Sequence, residues 1–204
     1  KTAYEIGLGI PAEPLFPSIH YKVKASQQHI FNDYWEDIGT IRSFYEATLD
    51  LTNPVPNFNL YEEDKPIYTQ MRNLPPSKIN NANMTATLAS EGCVIEYSRL
   101  QKSVIGIRSI INEGCDLNGV VMMGADFYES EDDKAENKKK KIPWNRKELQ
   151  NKKAIIDKNA HIGNNCCINI NGKTYEDGDH GLFYSSDGII VIRKGAVIPD
   201  GTVI

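Results

Sequence analysis

Aliphatic residues recur at every sixth position in the C-terminal part of the chain, and the positions between them are mostly polar. The positions are Ile156, Ile162, Ile168, Ile192, Ile198 and Ile204. A period of six matches neither the 3.6-residue repeat of an α-helix nor the two-residue repeat of a β-strand. It is typical of a parallel β-helix, in which each strand with its turn takes six residues and three strands make one coil.

The same period runs through the middle of the chain from Lys78 onward. The predicted inward positions are Leu88, Val94, Leu100, Ile105, Ile111, Leu117 and Met123. One step among them is five residues, which we interpret as a shortened corner. The pattern predicts about two coils here, each of about 18 residues, with like aliphatic side chains stacked inside.

Two stretches interrupt the hexads. Residues 127–151 carry an acidic run, Glu129–Glu136, and four lysines, Lys138–Lys141, which is typical of a solvated excursion. Ile156 is then predicted to restart the coils. Residues 168–192 hold four hexads without aliphatic residues at the intermediate positions, and we interpret them as a loop that rejoins the coils in phase.

The residues before the hexads predict a helix and a linker. Thr40 is suited to be the N-cap of a helix that runs to about Leu51. One face of that helix would carry Ile41, Phe44, Tyr45, Thr48 and Leu49. Residues 53–77 contain five prolines and little periodicity, which predicts an extended linker.

Composition narrows the classes of function. The 204 residues carry a net charge of −4, which argues against a nucleic-acid partner. No apolar run approaches the roughly 20 residues of a membrane-spanning helix, so no membrane partner is expected. The four cysteines form no CxxC motif, and we interpret them as reduced thiols of an intracellular compartment.

Candidate chemistry begins with Asp37, which precedes the predicted helix. A carboxylate there is suited to hold Mg²⁺ that bridges to substrate phosphates, or simply to cap the helix or its loop. Further along, Gln70 and Arg72 alternate on an extended segment and so point the same way, and arginine suits phosphate geometry. Their alternative role is to pin the linker. His161 is a weaker candidate for the catalytic histidine of a β-helix acyltransferase.

Lys158 and Lys194 each lie two residues after an aliphatic hexad position, and 36 residues separate them. That distance in sequence predicts two full coils and a spacing of roughly 10 Å on one face. Beside Asp157, Arg193 and His161, the two lysines are placed to clamp a small polyanion. The alternative is that they are ordinary solvated lysines.

Six blocks of sequence resemble the ADP-glucose pyrophosphorylases (glucose-1-phosphate adenylyltransferases), particularly those of the plant and cyanobacterial type. The blocks are Tyr-Trp-Glu-Asp-Ile-Gly-Thr-Ile (34–41), Ile-Tyr-Thr-Gln-x-Arg-x-Leu-Pro-Pro-Ser-Lys (67–78), Ser-Val-Ile-Gly-Ile-Arg-Ser (103–109), Val-Met-Met-Gly-Ala-Asp-Phe-Tyr-Glu (121–129), Ala-Ile-Ile-Asp-Lys-Asn-Ala-x-Ile-Gly (154–163) and Ile-Pro-Asp-Gly-Thr-Val-Ile (198–204). They occur in family order, from Tyr34 to the C-terminus.

The resemblance implies a Mg²⁺-dependent transferase that joins ATP and glucose 1-phosphate into ADP-glucose and pyrophosphate for starch or glycogen synthesis. It implies a homo- or hetero-tetramer that 3-phosphoglycerate activates and phosphate inhibits. Asp37 matches a catalytic metal-binding aspartate. Lys158 and Lys194 match activator-site lysines, with Asp157 beside them, and Gln70 and Arg72 match residues of the same regulatory anion site.

On this basis residues 1–52 end an α/β nucleotidyltransferase domain, 53–77 are a linker, and 78–204 are a mainly β domain, the left-handed β-helix. The family's Gly-rich nucleotide loop is missing from these 204 residues, so we expect the chain alone to be inactive. Ser185-Ser186-Asp187 replace a cationic residue of the family's anion site. The alternatives are a non-catalytic regulatory or assembly module that pairs with a complete subunit, and another sugar-phosphate nucleotidyltransferase. The expected location is the plastid if the protein is plant-like, and otherwise the cytoplasm.

Overall fold

The computed structural model describes residues 30–128, 149–169 and 175–204. From Tyr34 to Ile204 they belong to one compact unit. Its elements are α1 (Ile41–Asp50), β1 (Lys78–Asn80), β2 (Asn83–Ala89), β3 (Val94–Glu96), β4 (Arg99–Ile105), β5 (Ile110–Ile111), β6 (Cys115–Met122), β7 (Leu149–Ile156), β8 (His161–Ile162), β9 (Cys167–Ile168), β10 (Gly178–Asp179), β11 (Phe183–Ser186), β12 (Ile189–Ile192) and β13 (Val197–Ile198). None of the helices in these residues is long and apolar enough to cross a bilayer.

Strand pairing between successive coils is parallel and defines three faces. The first face stacks β1, β3 and β5, and further along it β8 and β13. The second face stacks the first halves of β2, β4, β6 and β7, followed by β9. The third face stacks the second halves of the same four long strands, followed by β12. This arrangement is the parallel β-helix that the hexads predict.

The interior is a column of aliphatic side chains. Predicted inward residues that are buried are Leu100, Ile105, Ile111, Leu117, Ile156, Ile168, Ile192, Ile198 and Ile204. They belong to one cluster with Cys93 and Cys166, whose free thiols fill it as small apolar groups. Full burial of each aliphatic side chain stabilises the fold by about 1.5–3 kcal/mol.

Three of the residues predicted to face the interior do not face it in the structure. On the first face the interior residue is Ile95, which pairs with Ile111, whereas Val94 is only half-buried. On the third face Met122, not Met123, shares the row of Ile105. Leu88 faces outward. The corners of the coils vary in length, and a strict count of six therefore drifts across them.

The third face is covered on its outer side as well. An outward row of aliphatic residues, here called the outer row, comprises Leu88, Val104, Val121, Ile155 and Val191. Helix α1 packs on this row through Tyr45 and Leu49, both of which are buried. Thr40 caps the helix as predicted, because its hydroxyl accepts a hydrogen bond from the Ser43 amide at 3.0 Å.

Tyr45 fixes the helix to the coils. Its hydroxyl donates a buried hydrogen bond of 2.6 Å to the carbonyl of Gly119, and burial raises the pKa of Tyr45 to about 12. Lys102 and Lys153 take positive φ at the same corner of neighbouring coils, so the backbone alone does not demand glycine there. A Cβ at Gly119 would lie 2.9 Å from the Tyr45 hydroxyl, and glycine therefore lets the helix approach.

The interruptions of the coils differ from their predicted bounds. Strand β7 resumes the coils at Leu149, seven residues before the predicted restart at Ile156. The two charge runs of the predicted excursion lie outside the described residues. The predicted loop before Ile192 contains the strands β10 and β11, and β11 pairs antiparallel with β12. Residues 51–77 hold no helix or strand, and the assignment of residues 53–77 as a linker between domains stays a prediction.

The register of the first face can be tested by removing one side chain at a time. Replacing Ile95 with Ala opens a cavity between Ile79 and Ile111, and we expect the free energy of unfolding to fall by about 2–5 kcal/mol. The neighbouring Val94→Ala is the matched control, with an expected loss of about 1 kcal/mol or less. Urea denaturation of both variants measures the difference. A larger loss for Val94→Ala would show that Val94 faces the interior.

Candidate functional site

Lys158 and Lys194, here called the lysine pair, lie on consecutive coils. The register of β7 with β12 sets Ile156 opposite Ile192, and each lysine follows two residues later. The pairing continues past the strands, since the Gly195 amide donates to the Lys158 carbonyl at 2.9 Å. Neighbouring strands lie about 4.8 Å apart. The predicted separation of two coils and roughly 10 Å is therefore wrong, because the antiparallel strands β10 and β11 take up part of the sequence between β9 and β12 and add no coil.

Both ammonium groups of the lysine pair converge on one carboxylate, that of Asp126. Lys158 Nζ lies 3.0 Å from Asp126 Oδ1, and Lys194 Nζ lies 3.6 Å from Asp126 Oδ2. Met122 is in register with Ile156, so the chain leaves β6 on the coil next to Lys158. Three consecutive turns of the third face thus contribute one charged group each. The result is a compact cluster of two positive charges and one negative charge.

Asn159 holds Asp126 in this position by two hydrogen bonds. Its Nδ2 donates to Asp126 Oδ2 at 3.0 Å, and its Oδ1 accepts from the Asp126 amide at 2.8 Å. The hydrogen bond from Lys158, together with that from Asn159, holds the pKa of Asp126 below its ordinary value. The cluster is partly open to solvent, since the side chains of Asp126, Lys158 and Lys194 are 31%, 35% and 62% exposed.

Asp157 and Arg193, which were expected beside the lysines, have other contacts. Asp157 Oδ1 accepts a hydrogen bond of 2.6 Å from the Lys158 amide and thereby shapes the corner after β7. Arg193 forms an ion pair of 2.6 Å with Asp179 of β10, and the hydrogen bond from Arg193 lowers the pKa of Asp179. Arg193 therefore ties the inserted strands to the coils. Of the predicted residues, the structure brings together Lys158 and Lys194, with Asp157 at their corner.

Gln70 and Arg72 lie on the extended segment between α1 and β1, and both side chains are exposed. Among the described residues, no hydrogen bond or ion pair joins either of them to Lys158 or Lys194. Their assignment to one anion site with the lysine pair stays a prediction.

Asp37 is exposed and lies three residues before the N-cap of α1. Its Oδ1 accepts a hydrogen bond of 3.0 Å from the Gly39 amide, which supports the turn into the helix. Within the part of the chain that the structure describes, no group of three histidine, cysteine or acidic residues is arranged to hold a metal ion. The residues around Asp37 do not by themselves form a Mg²⁺ site, and the catalytic role of Asp37 stays a prediction.

The arrangement at the lysine pair suits a small anion with several oxygens. Two ammonium groups on adjacent coils present up to six N–H donors without any acceptor of their own. Sequence analysis missed Asp126 and Asn159, which complete the cluster. Asn159 directly follows Lys158 and was within reach of a sequence argument. Asp126 was not, because the interruption predicted for residues 127–151 separates it from Lys158. The sequence does not tell how many coils such an interruption replaces.

Comparison with known proteins agrees with the fold and with the quoted blocks. Residues 72–203 match the family described as the GLGC left-handed parallel β-helix domain. The chain is also 43% identical over 182 residues to the small subunit of the chloroplastic/amyloplastic glucose-1-phosphate adenylyltransferase of Triticum aestivum. That alignment covers 87% of this chain and 38% of the wheat protein. The chain therefore spans well under half the length of this relative.

Charge at Asp126 makes a testable contribution to stability at low ionic strength. Because the pKa of Asp126 is lowered in the folded protein, its ion pairs stabilise the fold at pH values above the ordinary aspartate value of about 3.9 and are lost as the pH falls through the lowered pKa. We expect Asp126→Asn to unfold at lower urea than the wild type at about pH 6, with a difference that shrinks below about pH 4. A difference that does not change with pH would assign the effect to hydrogen bonding rather than to charge.

Proposed function

Since the chain belongs to the GLGC left-handed parallel β-helix domain family, we propose that it is the β-helix part of a glucose-1-phosphate adenylyltransferase. The 43% identity to the wheat small subunit supports this function over most of the chain. In the whole enzyme, a phosphate oxygen of glucose 1-phosphate attacks the α-phosphorus of ATP. The bond to the β-phosphate breaks, and ADP-glucose and pyrophosphate leave as products for starch synthesis.

The role proposed for these residues is regulation rather than chemistry. The single observation that carries it is the convergence of Lys158 and Lys194 on one carboxylate, at a partly open surface. A phosphate or phosphoglycerate oxygen resembles that carboxylate in charge and in its capacity to accept hydrogen bonds. The lysine pair is thus suited to bind 3-phosphoglycerate as an activator and phosphate as an inhibitor.

Assembly and location follow from the same proposal. The enzyme would work as a homo- or hetero-tetramer, in which complete subunits supply the ATP site and a Mg²⁺ ion that bridges the substrate phosphates. The name of the wheat relative assigns that protein to chloroplasts or amyloplasts, which favours a plastid location here.

A non-catalytic regulatory or assembly module is the second candidate. It is favoured by the position of the lysine pair and Asp126, because these three charged groups come from the β-helix itself and from the corner after β6. A module of this kind would bind effector anions without any catalytic domain. The stand-alone module therefore requires that the chain binds effectors by itself, whereas the adenylyltransferase part allows such binding without requiring it.

Calorimetric titration of the purified chain with inorganic phosphate and with 3-phosphoglycerate tests the proposed site. We expect both anions to bind, and the Lys158→Ala/Lys194→Ala variant to bind at least about tenfold more weakly, because each lost contact is a charge-assisted hydrogen bond. The matched control is Lys78→Ala/Lys102→Ala, which removes the same charge from other coils of the β-helix.

The outcomes test the anion site and, with it, the second candidate. Binding that only the Lys158→Ala/Lys194→Ala variant loses supports an anion site that is complete in this chain, as the module requires. Equal losses in both double variants would contradict a specific site and indicate general charge attraction. No binding by the wild-type chain would remove the support for the stand-alone module.

A further inference from the structure

Asp126 occupies the position between the two ammonium groups that a bound anion would need. Its two carboxylate oxygens are divided between the lysines, Oδ1 toward Lys158 and Oδ2 toward Lys194. Lys158 and Asn159 together direct three hydrogen-bonding groups at this carboxylate and its amide. The lysine pair is thus already neutralised in part by a group of the same chain.

We propose that Asp126 is a built-in competitor for the effector anion, so that an anion binds the lysine pair only by displacing the Asp126 carboxylate. This inference rests on the proposed anion site and specifies how that site is regulated. A carboxylate and a phosphate oxygen cannot both take the same ammonium protons, and a like-charge contact between them is unfavourable. The apparent affinity for the anion is then the intrinsic affinity of the lysine pair multiplied by the fraction of molecules in which Asp126 has left the pair.

The backbone around Asp126 allows the carboxylate to leave without unfolding the coil. The Ala125 amide donates to the Ile107 carbonyl at 2.9 Å, and the Asp126 amide donates to Asn159 Oδ1 at 2.8 Å. Both bonds hold the main chain and neither involves the carboxylate. Rotation of the Asp126 side chain toward solvent therefore breaks only its contacts with the lysine pair and with Asn159 Nδ2.

Tyr128, two residues after Asp126, joins this part of the chain to the end of the linker. The Tyr128 hydroxyl donates to the Gly92 carbonyl at 2.8 Å, and the Gly92 amide donates to Pro75 at the end of the linker. Arg108 lies 5.9 Å from the centre of the Tyr128 ring and donates to the Ala125 carbonyl at 3.3 Å. The residues after Asp126 thus connect the lysine pair to the linker that carries Gln70 and Arg72.

The test compares phosphate binding by the wild type and by Asp126→Asn. This substitution keeps the size of the side chain and the hydrogen bond from the Asp126 backbone amide to Asn159 Oδ1. It removes the negative charge together with one of the two acceptor oxygens. We expect inorganic phosphate to bind roughly threefold to thirtyfold more tightly to the variant, the effect of losing two partly exposed ion pairs. Asp116→Asn removes the same charge from β6, where the carboxylate lies 4.0 Å from Arg99, and is expected to leave the affinity unchanged.

A second comparison shows that the gain acts through the lysines. In the Lys158→Ala/Lys194→Ala background, Asp126→Asn should no longer raise the affinity, because the competitor and the anion would have lost their common partners. Equal phosphate affinities of the wild type and of Asp126→Asn, with binding still dependent on the lysine pair, would overturn the competitor role and leave the proposed site intact. A similar gain in Asp116→Asn would also overturn it, since the effect would then be one of net charge. Binding by none of these proteins would contradict the anion site and with it the inference.

Discussion

Parallel, in-register pairing along the third face is the constraint on which the rest of the molecule depends. It sets Ile105, Met122, Ile156 and Ile192 in one row, although long interruptions separate β6 from β7 and β7 from β12. Each inward aliphatic residue stacks on its counterpart in the next coil and is buried from water by it. A slip of one residue would turn every side chain of a strand to the other face. Because this row is fixed, Lys158 and Lys194 must emerge side by side.

Helix α1 completes the third face by covering its outer row. Without the helix, aliphatic residues such as Val121 and Ile155, both buried in the structure, would be open to water. The hydrogen bond from Tyr45 to the Gly119 carbonyl fixes the position of α1 along the axis of the β-helix. An ion pair of 3.7 Å between Arg42 and Asp187 also links the helix to the turn between β11 and β12. The strands that carry the lysine pair are therefore supported from inside and outside.

Periodicity predicted the parallel coils, and residue preference predicted the N-cap at Thr40, because both depend on local patterns. Periodicity did not predict that β12 and the C-terminal ends of β6 and β7 are covered on both sides, although the runs 120–123, 154–156 and 189–192 are continuously apolar, a pattern typical of such strands. It also misjudged the separation of the lysine pair, since a sequence count cannot tell how many coils an inserted segment replaces. The role of Asp126 could not be predicted for the same reason, because its contacts with Lys158 and Lys194 cross inserted segments.

The adjacency of Lys158 and Lys194 is the central claim, and disulfide formation in a Lys158→Cys/Lys194→Cys variant tests it most directly. Residues on neighbouring strands about 4.8 Å apart lie within the Cα separation of 4.4–6.8 Å that a disulfide allows. We predict a bond under mild oxidation, detected by mass spectrometry of peptides, with each single cysteine variant as a control for the native free thiols. If the two residues were two coils apart, at about 10 Å, no bond would form. Thiols that stay free in the folded variant would contradict the register and the anion site built on it.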